Sequence, residues 1–281
     1  MGYRFLEVKI ENNIGTLALA RTESLNALSL EFAAEITGAV RELSEKDEVR
    51  AIILKSNAQI FCAGLDLKDF VSTGLDGTPK GSLDFPEKLH ELFDCCNVLE
   101  ECPKPIIAAV HGKCVGGGLD MIAACDIRLC TEDATFSLRE AGIGLVADMG
   151  ILQRLPLIIG QGFTREMAYT ARFFSSKEVA RMGLVNGIYA DREALMEEAK
   201  KLAALIAENA PLAVQQTKKV LNYSRSATVG DGMSMAMQKN MVLLLIKKVR
   251  ANAQSSLLIK EVWFVTLTFT ILTSSRIMKS Y

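Results

Sequence analysis

The chain has 281 residues, 49% of them hydrophobic and 23% charged, enough to bury one large core with a smaller appendage. A net charge of −1 and a pI near 6.2 argue against a dedicated nucleic-acid binder, and the basic clusters Lys218/Lys219 and Lys247/Lys248/Arg250 are expected to be solvated helix faces. Seven cysteines with no CxxC pair point to buried thiols in a reducing compartment; with only two histidines, a zinc site has little to be built from, and no metal is expected.

Taken in chain order, MGYRFLEVKIEN has no signal-peptide apolar core and reads directly as a strand. A turn at Glu11–Gly15 and renewed apolar residues over 16–20 predict a hairpin. From Ser29, a candidate N-cap, the spacing of Phe32, Ile36, Val40 and Leu43 predicts an amphipathic helix, and Val49 to Leu54 a buried strand. Ser72 to Pro86, rich in Gly, Ser and Pro, is expected to be a mobile loop, with helix from about Pro86 to Glu101. After Pro103-Lys104-Pro105, Ile106 to Val110 reads as a second buried strand leading through Gly116-Gly117-Gly118 into the helical run Leu119 to Ala124. Helices are expected around Leu195–Ile206 and from Pro211 to Tyr223. Strand, glycine turn and helix recur, the pattern of an α/β domain. The uncharged run Val262 to Ser275 is short and Thr-rich for a membrane span, which needs about 20 apolar residues.

Chemistry concentrates between Val110 and Pro156, where Asp120, Glu140 and Asp148 stand among apolar neighbours. The glycine triplet lets a ligand approach the backbone, and a helix N-terminus adds positive partial charge; tight strand-to-helix packing would also place glycines here. Neither the Walker nor the dinucleotide GxGxxG spacing is met. The turn Ala63-Gly64-Leu65, after another buried strand, is the natural source of a second N–H for an oxyanion hole. Glu140 and Asp148 frame the apolar, glycine-rich segment 141–147, where a carboxyl's pKa is raised toward values useful for proton transfer. The structural alternatives are a helix-N-terminal acid for Asp120 and surface ion pairs with Arg139 or Arg154 for the other two.

From Phe5 to about Met241 these residues resemble the crotonase, or enoyl-CoA hydratase/isomerase, superfamily. The motifs are Ser24-Leu25-Asn26-Ala27-Leu28, Phe61-Cys62-Ala63-Gly64-Leu65-Asp66-Leu67, Ala108-Ala109-Val110-His111-Gly112, Gly116-Gly117-Gly118, Cys125-Asp126-Ile127-Arg128 and Gln153-Arg154-Leu155-Pro156, in the family's order. The resemblance implies an α/β fold, a crotonase-type spiral of ββα units over 1–195 and a helical trimerisation region over 196–250; an atypical hydrophobic tail over 251–281 lies outside the family pattern. It also implies a homotrimer or homohexamer, an acyl-CoA thioester as substrate, and no cofactor beyond the coenzyme A of the substrate. The thioester oxygen would be held by the N–H groups of Leu65 and Gly117, with Ala63, Gly64, Asp66 and Leu67 in the same substrate-binding turn.

The Asp120, Glu140, Asp148 set is similar to that of Δ3,5-Δ2,4-dienoyl-CoA isomerases. The resemblance implies that Asp148 takes a proton from carbon 2, Glu140 protonates carbon 6 and Asp120 assists electrostatically. Other family chemistry stays open: hydration of a 2-enoyl-CoA by Asp120 and Glu140, or a Δ3,Δ2 double-bond shift. A non-catalytic scaffold or RNA-binding member is the reading from another class. No nucleic-acid or membrane partner is expected, and the expected compartment is the cytoplasm or an organelle matrix, since the end Lys279-Ser280-Tyr281 is not a peroxisomal Ser-Lys-Leu. Leu257 to Ser275 departs from the charged helical sequence usual in the family.

Overall fold

The structure is a computed structural model and describes residues 2–74 and 79–254. Strand β1 (Leu6–Glu11) pairs antiparallel with β2 (Ile14–Leu19). Asn12 and Asn13 between them have φ of 51° and 64°, the left-handed pair that a two-residue hairpin requires and that Asn tolerates. Helix α1 (Leu30–Glu45) starts where expected: the Ser29 side chain accepts from the Phe32 N–H at 3.2 Å, and Phe32, Ile36, Val40 and Leu43 are fully buried. It is followed by β3 (Ala51–Ser56), α2 (Leu67–Gly74), α3 (Pro79–Glu101), β4 (Ile106–Val110), β5 (Lys113–Val115), α4 (Gly117–Ala124), β6 (Ile127–Thr131) and β7 (Thr135–Ser137). After α5 (Ile151–Thr170) come β8 (Phe174–Ser175), α6 (Ser176–Met182), β9 (Gly187–Tyr189), α7 (Arg192–Glu208), α8 (Pro211–Ser224) and α9 (Val229–Gln254).

Six strands form one sheet in the order β1-β2-β3-β4-β6-β9, parallel from β2 onward; β5, β7 and β8 form a smaller one. The side-chain period of two divides β3 and β4 between two cores. Ile52, Leu54, Ile106, Ala108 and Val110 pack in the cluster that holds α1, α3 and α4, whereas Ala51, Ile53, Ile107 and Ala109 pack against Leu195, Ala199 and Ala203 of α7. Both faces of the central strands are thus apolar, which is why they read as continuous runs rather than alternating ones.

Two expectations are corrected. Ser72 to Pro86 is not a loop throughout: α2 extends to Gly74 and α3 already begins at Pro79, with residues 75–78 outside the described residues. Proline at a helix's first position forfeits no intrahelical bond, so Pro79 starts α3, and Pro86, seven residues on, costs it a single i→i−4 bond. Lys218 is not part of a solvated face. It is 5% exposed, and its Nζ donates to Asp126 Oδ2 at 2.7 Å and to the carbonyls of Leu99 and Lys104 at 3.2 Å. Three acceptors in a dry cleft outweigh the desolvation of one ammonium.

The chain divides into two compact units, 1–225 and 226–281. In the second, α9 exposes Met233, Met237, Met241, Val242, Leu244 and Leu245. Among the described residues no helix is long and apolar enough to cross a membrane. The runs Val262–Ser275 and Leu257–Ser275 lie outside the described residues.

Candidate active site

The first half of the site is built by a short parallel bridge between Leu28 and Leu65. Asn26, fully buried and left-handed (φ 55°), donates through Nδ2 to Ser56 Oγ at 2.8 Å and to the Phe61 carbonyl at 2.9 Å, tying its segment to the end of β3. The Leu28 N–H then donates to the Gly64 carbonyl at 2.7 Å and the Asp66 N–H to the Leu28 carbonyl at 2.9 Å. In a parallel bridge of this kind the central residue's own N–H and C=O face the opposite edge. The Leu65 N–H therefore points away from Leu28 and has no acceptor among the described residues.

Around it, the Ala63 N–H donates to the Leu25 carbonyl at 3.0 Å, Gly64 takes a φ of 96°, and the Asp66 carboxylate is paired with Arg21 at 2.8 Å. Leu67 opens α2 and is 45% exposed. Asp66 and Ala63 thus shape the turn, while Leu65 offers the free donor.

The second half is the start of α4. Cys62 bridges to Cys114, so the turn after β3 and the turn after β5 run side by side. A Cβ on Gly64 would lie 3.8 Å from the Gly116 Cα, and one on Gly118 would sit 2.7 Å from the Cys62 Cβ. Close contact between two backbones is the physical reason for glycine here, and it packs the turn before Leu65 against the residues that open α4. Gly117 is the first residue of α4, so its N–H has no intrahelical partner. Leu28 and Met149 wall it, at 2.7 Å and 3.3 Å from where a Gly117 Cβ would be.

The three acids differ in burial. Asp120, in the first turn of α4, is 1% exposed and its Oδ1 accepts from the Ile151 N–H at 2.9 Å. Burial, reinforced by the charge of Glu140, pushes its carboxyl up to about 8, against the pull of that N–H and of Arg154. Glu140 opens a 3-10 turn, Glu140–Ile143. Its Oε1 lies 2.9 Å from where a Gly116 Cβ would be, and its Oε2 is buried with no hydrogen-bond partner. Burial raises this carboxyl also, and Asp148 adds to the rise, against hydrogen bonds from the Glu140 and Arg139 backbone. Asp148 is exposed, yet protein packed around it raises its carboxyl as well, against its own backbone N–H. Apolar atoms beside it, rather than full occlusion from water, cause that rise, so solvent still reaches the group.

No ion pair neutralises any of the three among the described residues. Arg154 is committed to Glu100 Oε2 and Asn97 Oδ1, each at 2.8 Å, and to the Met149 carbonyl at 3.0 Å; Arg139 donates to the Ala171 carbonyl at 2.8 Å. The surface-ion-pair alternatives therefore do not apply. Sequence spacing did not reveal Arg154 as the clamp on the turn after Asp148, nor Gly116 as the residue that makes room for Glu140. The left-handed Gly150 (φ 99°), whose Cβ would collide with the Arg154 guanidinium, was a glycine signal that could have found the clamp. No group of three metal-ligating side chains occurs among the described residues.

Coupled carboxyls with raised pKa values beside two free backbone donors suit proton transfer at a carbon next to a carbonyl. Comparison with known proteins agrees with that class. The enoyl-CoA hydratase/isomerase family matches residues 9–250. The human mitochondrial Delta(3,5)-Delta(2,4)-dienoyl-CoA isomerase is 39% identical over 264 residues, covering 89% of this chain and 78% of that protein. The peroxisomal Delta(3,5)-Delta(2,4)-dienoyl-CoA isomerase of Arabidopsis thaliana is 36% identical over 273 residues, covering 94% and 98%. Among solved structures, an enoyl-CoA hydratase subunit of Geobacillus kaustophilus superposes with a TM-score of 0.78 at 30% identity, covering 86% of this chain and 91% of its own. The chain belongs to the enoyl-CoA hydratase/isomerase family, with the crotonase fold, and is an isomerase-like enzyme within it.

Proposed function

We propose that this enzyme converts a 3,5-dienoyl-CoA into the conjugated 2,4-dienoyl-CoA. The observation that carries the reading is the unequal burial of three carboxyls without ion-pair partners, each raised first by desolvation, in the segments beside the Leu65 and Gly117 amides. Asp148, open to solvent, is the one that stays ionised and takes the proton from carbon 2. The two N–H groups stabilise the oxygen of the resulting dienolate. Glu140, with a buried and unpartnered Oε2, is held neutral and gives its proton to carbon 6. The cycle closes when Asp148 releases its proton to water and Glu140 regains one. Two acids with separated proton affinities divide base and acid roles in this way.

Asp120 fits this scheme better than it fits hydration of an enoyl-CoA. A hydratase needs both acids of its pair on a water molecule, whereas Asp120 is occluded and its Oδ1 is taken by the Ile151 N–H. The chemistry is redox-neutral, so carboxylates and backbone amides suffice and no cofactor is required beyond the coenzyme A of the substrate. Assembly as a trimer or hexamer, and residence in an organelle matrix like the human and Arabidopsis relatives, complete the proposal. The test is the ultraviolet absorbance of a conjugated dienoyl-CoA when the full-length protein meets 3,5-dienoyl-CoA. Asp148→Asn is expected to lower kcat by about 10²- to 10⁴-fold, the usual contribution of a positioned general base. Turnover undiminished in that variant overturns the assignment.

A further inference from the structure

On the sheet face opposite the acids, the first turns of α7 cross the carboxyl ends of β3 and β4 and leave a cavity of about 260 Å3. Its charged lining is cationic, Lys55 from β3 and Arg192 at the first position of α7; Ser56, Asn57 and the neutral imidazole of His111 just beyond β4 complete its polar side, with Leu195 and Met196 on its apolar side. No aspartate or glutamate lines it. Among the described residues neither Lys55 nor Arg192 forms an ion pair, although Arg192 donates to the Gln59 carbonyl. Lys55 side-chain placement follows from register: Ile53 and Lys55 fall on the α7 face, Ile52 and Leu54 on the other.

His111 is 4% exposed, and its Nε2 lies 3.0 Å from the Ala58 carbonyl. A carbonyl only accepts, so Nε2 carries the proton and Nδ1 is left without a partner among the described residues. Burial lowers the proton affinity of the ring, and the charges of Arg192 and Lys55 lower it further; the Ala58 carbonyl and Asp133 oppose them. Asp133 is outside the lining, and its Oδ1 accepts from the Thr131 hydroxyl at 2.5 Å. Two cations without ion-pair partners and a buried ring that feels both leave the cavity with no carboxylate in its lining.

We propose that this cavity is a second ligand site that binds a small tetrahedral oxyanion, a free phosphate or the phosphate of a small monoester, between Lys55, Arg192 and His111. Lys55 and Arg192 supply charge-assisted hydrogen bonds, and the P–O–H of a hydrogen phosphate donates to His111 Nδ1. The volume suits an oxyanion with a few attached carbons and is far smaller than a whole coenzyme A. The site lies across the sheet from the catalytic acids, so it is separate from the substrate site proposed above and stands if that reading fails.

The chain has only two histidines, which makes His111 a local reporter. Imidazole NMR signals of the full-length protein are followed during titration with inorganic phosphate at constant ionic strength, with chloride as control. Saturable movement of the His111 signals, with those of His90 unmoved, is the expected result. Lys55→Gln is expected to weaken the apparent phosphate affinity by about tenfold, the effect of one charge-assisted hydrogen bond, while leaving isomerase turnover unchanged. Arg192→Lys, which keeps the charge, is expected to retain most of the affinity. Glycerol 3-phosphate separates the two sources: tighter binding than inorganic phosphate assigns the cavity to an ester, equal binding to the free ion. A His111 signal that does not move at tens of millimolar phosphate overturns the proposal, as does an identical titration in Lys55→Gln.

Discussion

Two groups of buried charge in this molecule are handled in opposite ways. Around Asp126, every ionic group is satisfied: its Oδ2 accepts from Lys218 Nζ and from the Ile106 N–H at 2.8 Å, and Arg128 donates to the carbonyls of Leu184 and Cys125, each at 2.7 Å. Around Gly116 and Gly117, one carboxylate oxygen of Glu140 has no partner, Asp120 has a single backbone donor, and two amides have no acceptor. The first arrangement locks α8 onto the end of α3 and the segment that leads into β6. The second keeps polar groups uncompensated so that a substrate can complete them. Buried polar groups ordinarily find partners, so those that do not are the better guide to chemistry.

Substitutions separate the two groups. Lys218→Met should cost about 1–3 kcal/mol, because it leaves two carbonyls without their donor and Asp126 Oδ2 with only the Ile106 N–H; urea unfolding with an unchanged m-value measures it. If the variant is as stable as the parent, the lock is no lock.

Asp120→Asn should change the pH dependence of stability. Asp120 titrates near 8 when folded and near 3.8 when unfolded, so between those values the folded state binds the extra proton. Stability from this group is fully present below about pH 4 and lost as pH rises toward 8, a slope of about 1.4 kcal/mol per pH unit at most. The asparagine variant should lose that slope, which melting temperatures between pH 5 and 8 would show. Parallel curves for variant and parent would mean that the carboxyl is not held neutral by burial.

The smallest effect is expected for Gly116→Ala. Its φ of 49° strains alanine and the new Cβ displaces Glu140, so kcat should fall by about tenfold with KM little changed. An unchanged kcat would show that Glu140 tolerates displacement.

Much of this architecture is legible in the chain. The capped amphipathic helix after Ser29, the Asn-Asn hairpin, the apolar strands β3 and β4 and the glycine turn into α4 each follow from local rules, because hydrogen-bond geometry and apolar period act over a few residues. The acids stood out for a similar reason: charged residues in apolar surroundings need an explanation within their own segment. Lys218 did not, since a lysine beside another lysine on a helix looks solvated until Leu99, Lys104 and Asp126 are brought to it from 92 to 119 residues away.

The sequence by itself determined the family and most of the elements, and it singled out the three acids as candidates. Only tertiary structure decided which acid is dry, which is wet, and that the turn at Gly64 packs against the glycines that open α4. Those properties depend on burial and on backbone contacts between segments distant in the chain, and desolvation, which sets the proton affinity of each carboxyl, comes into being only when those segments meet.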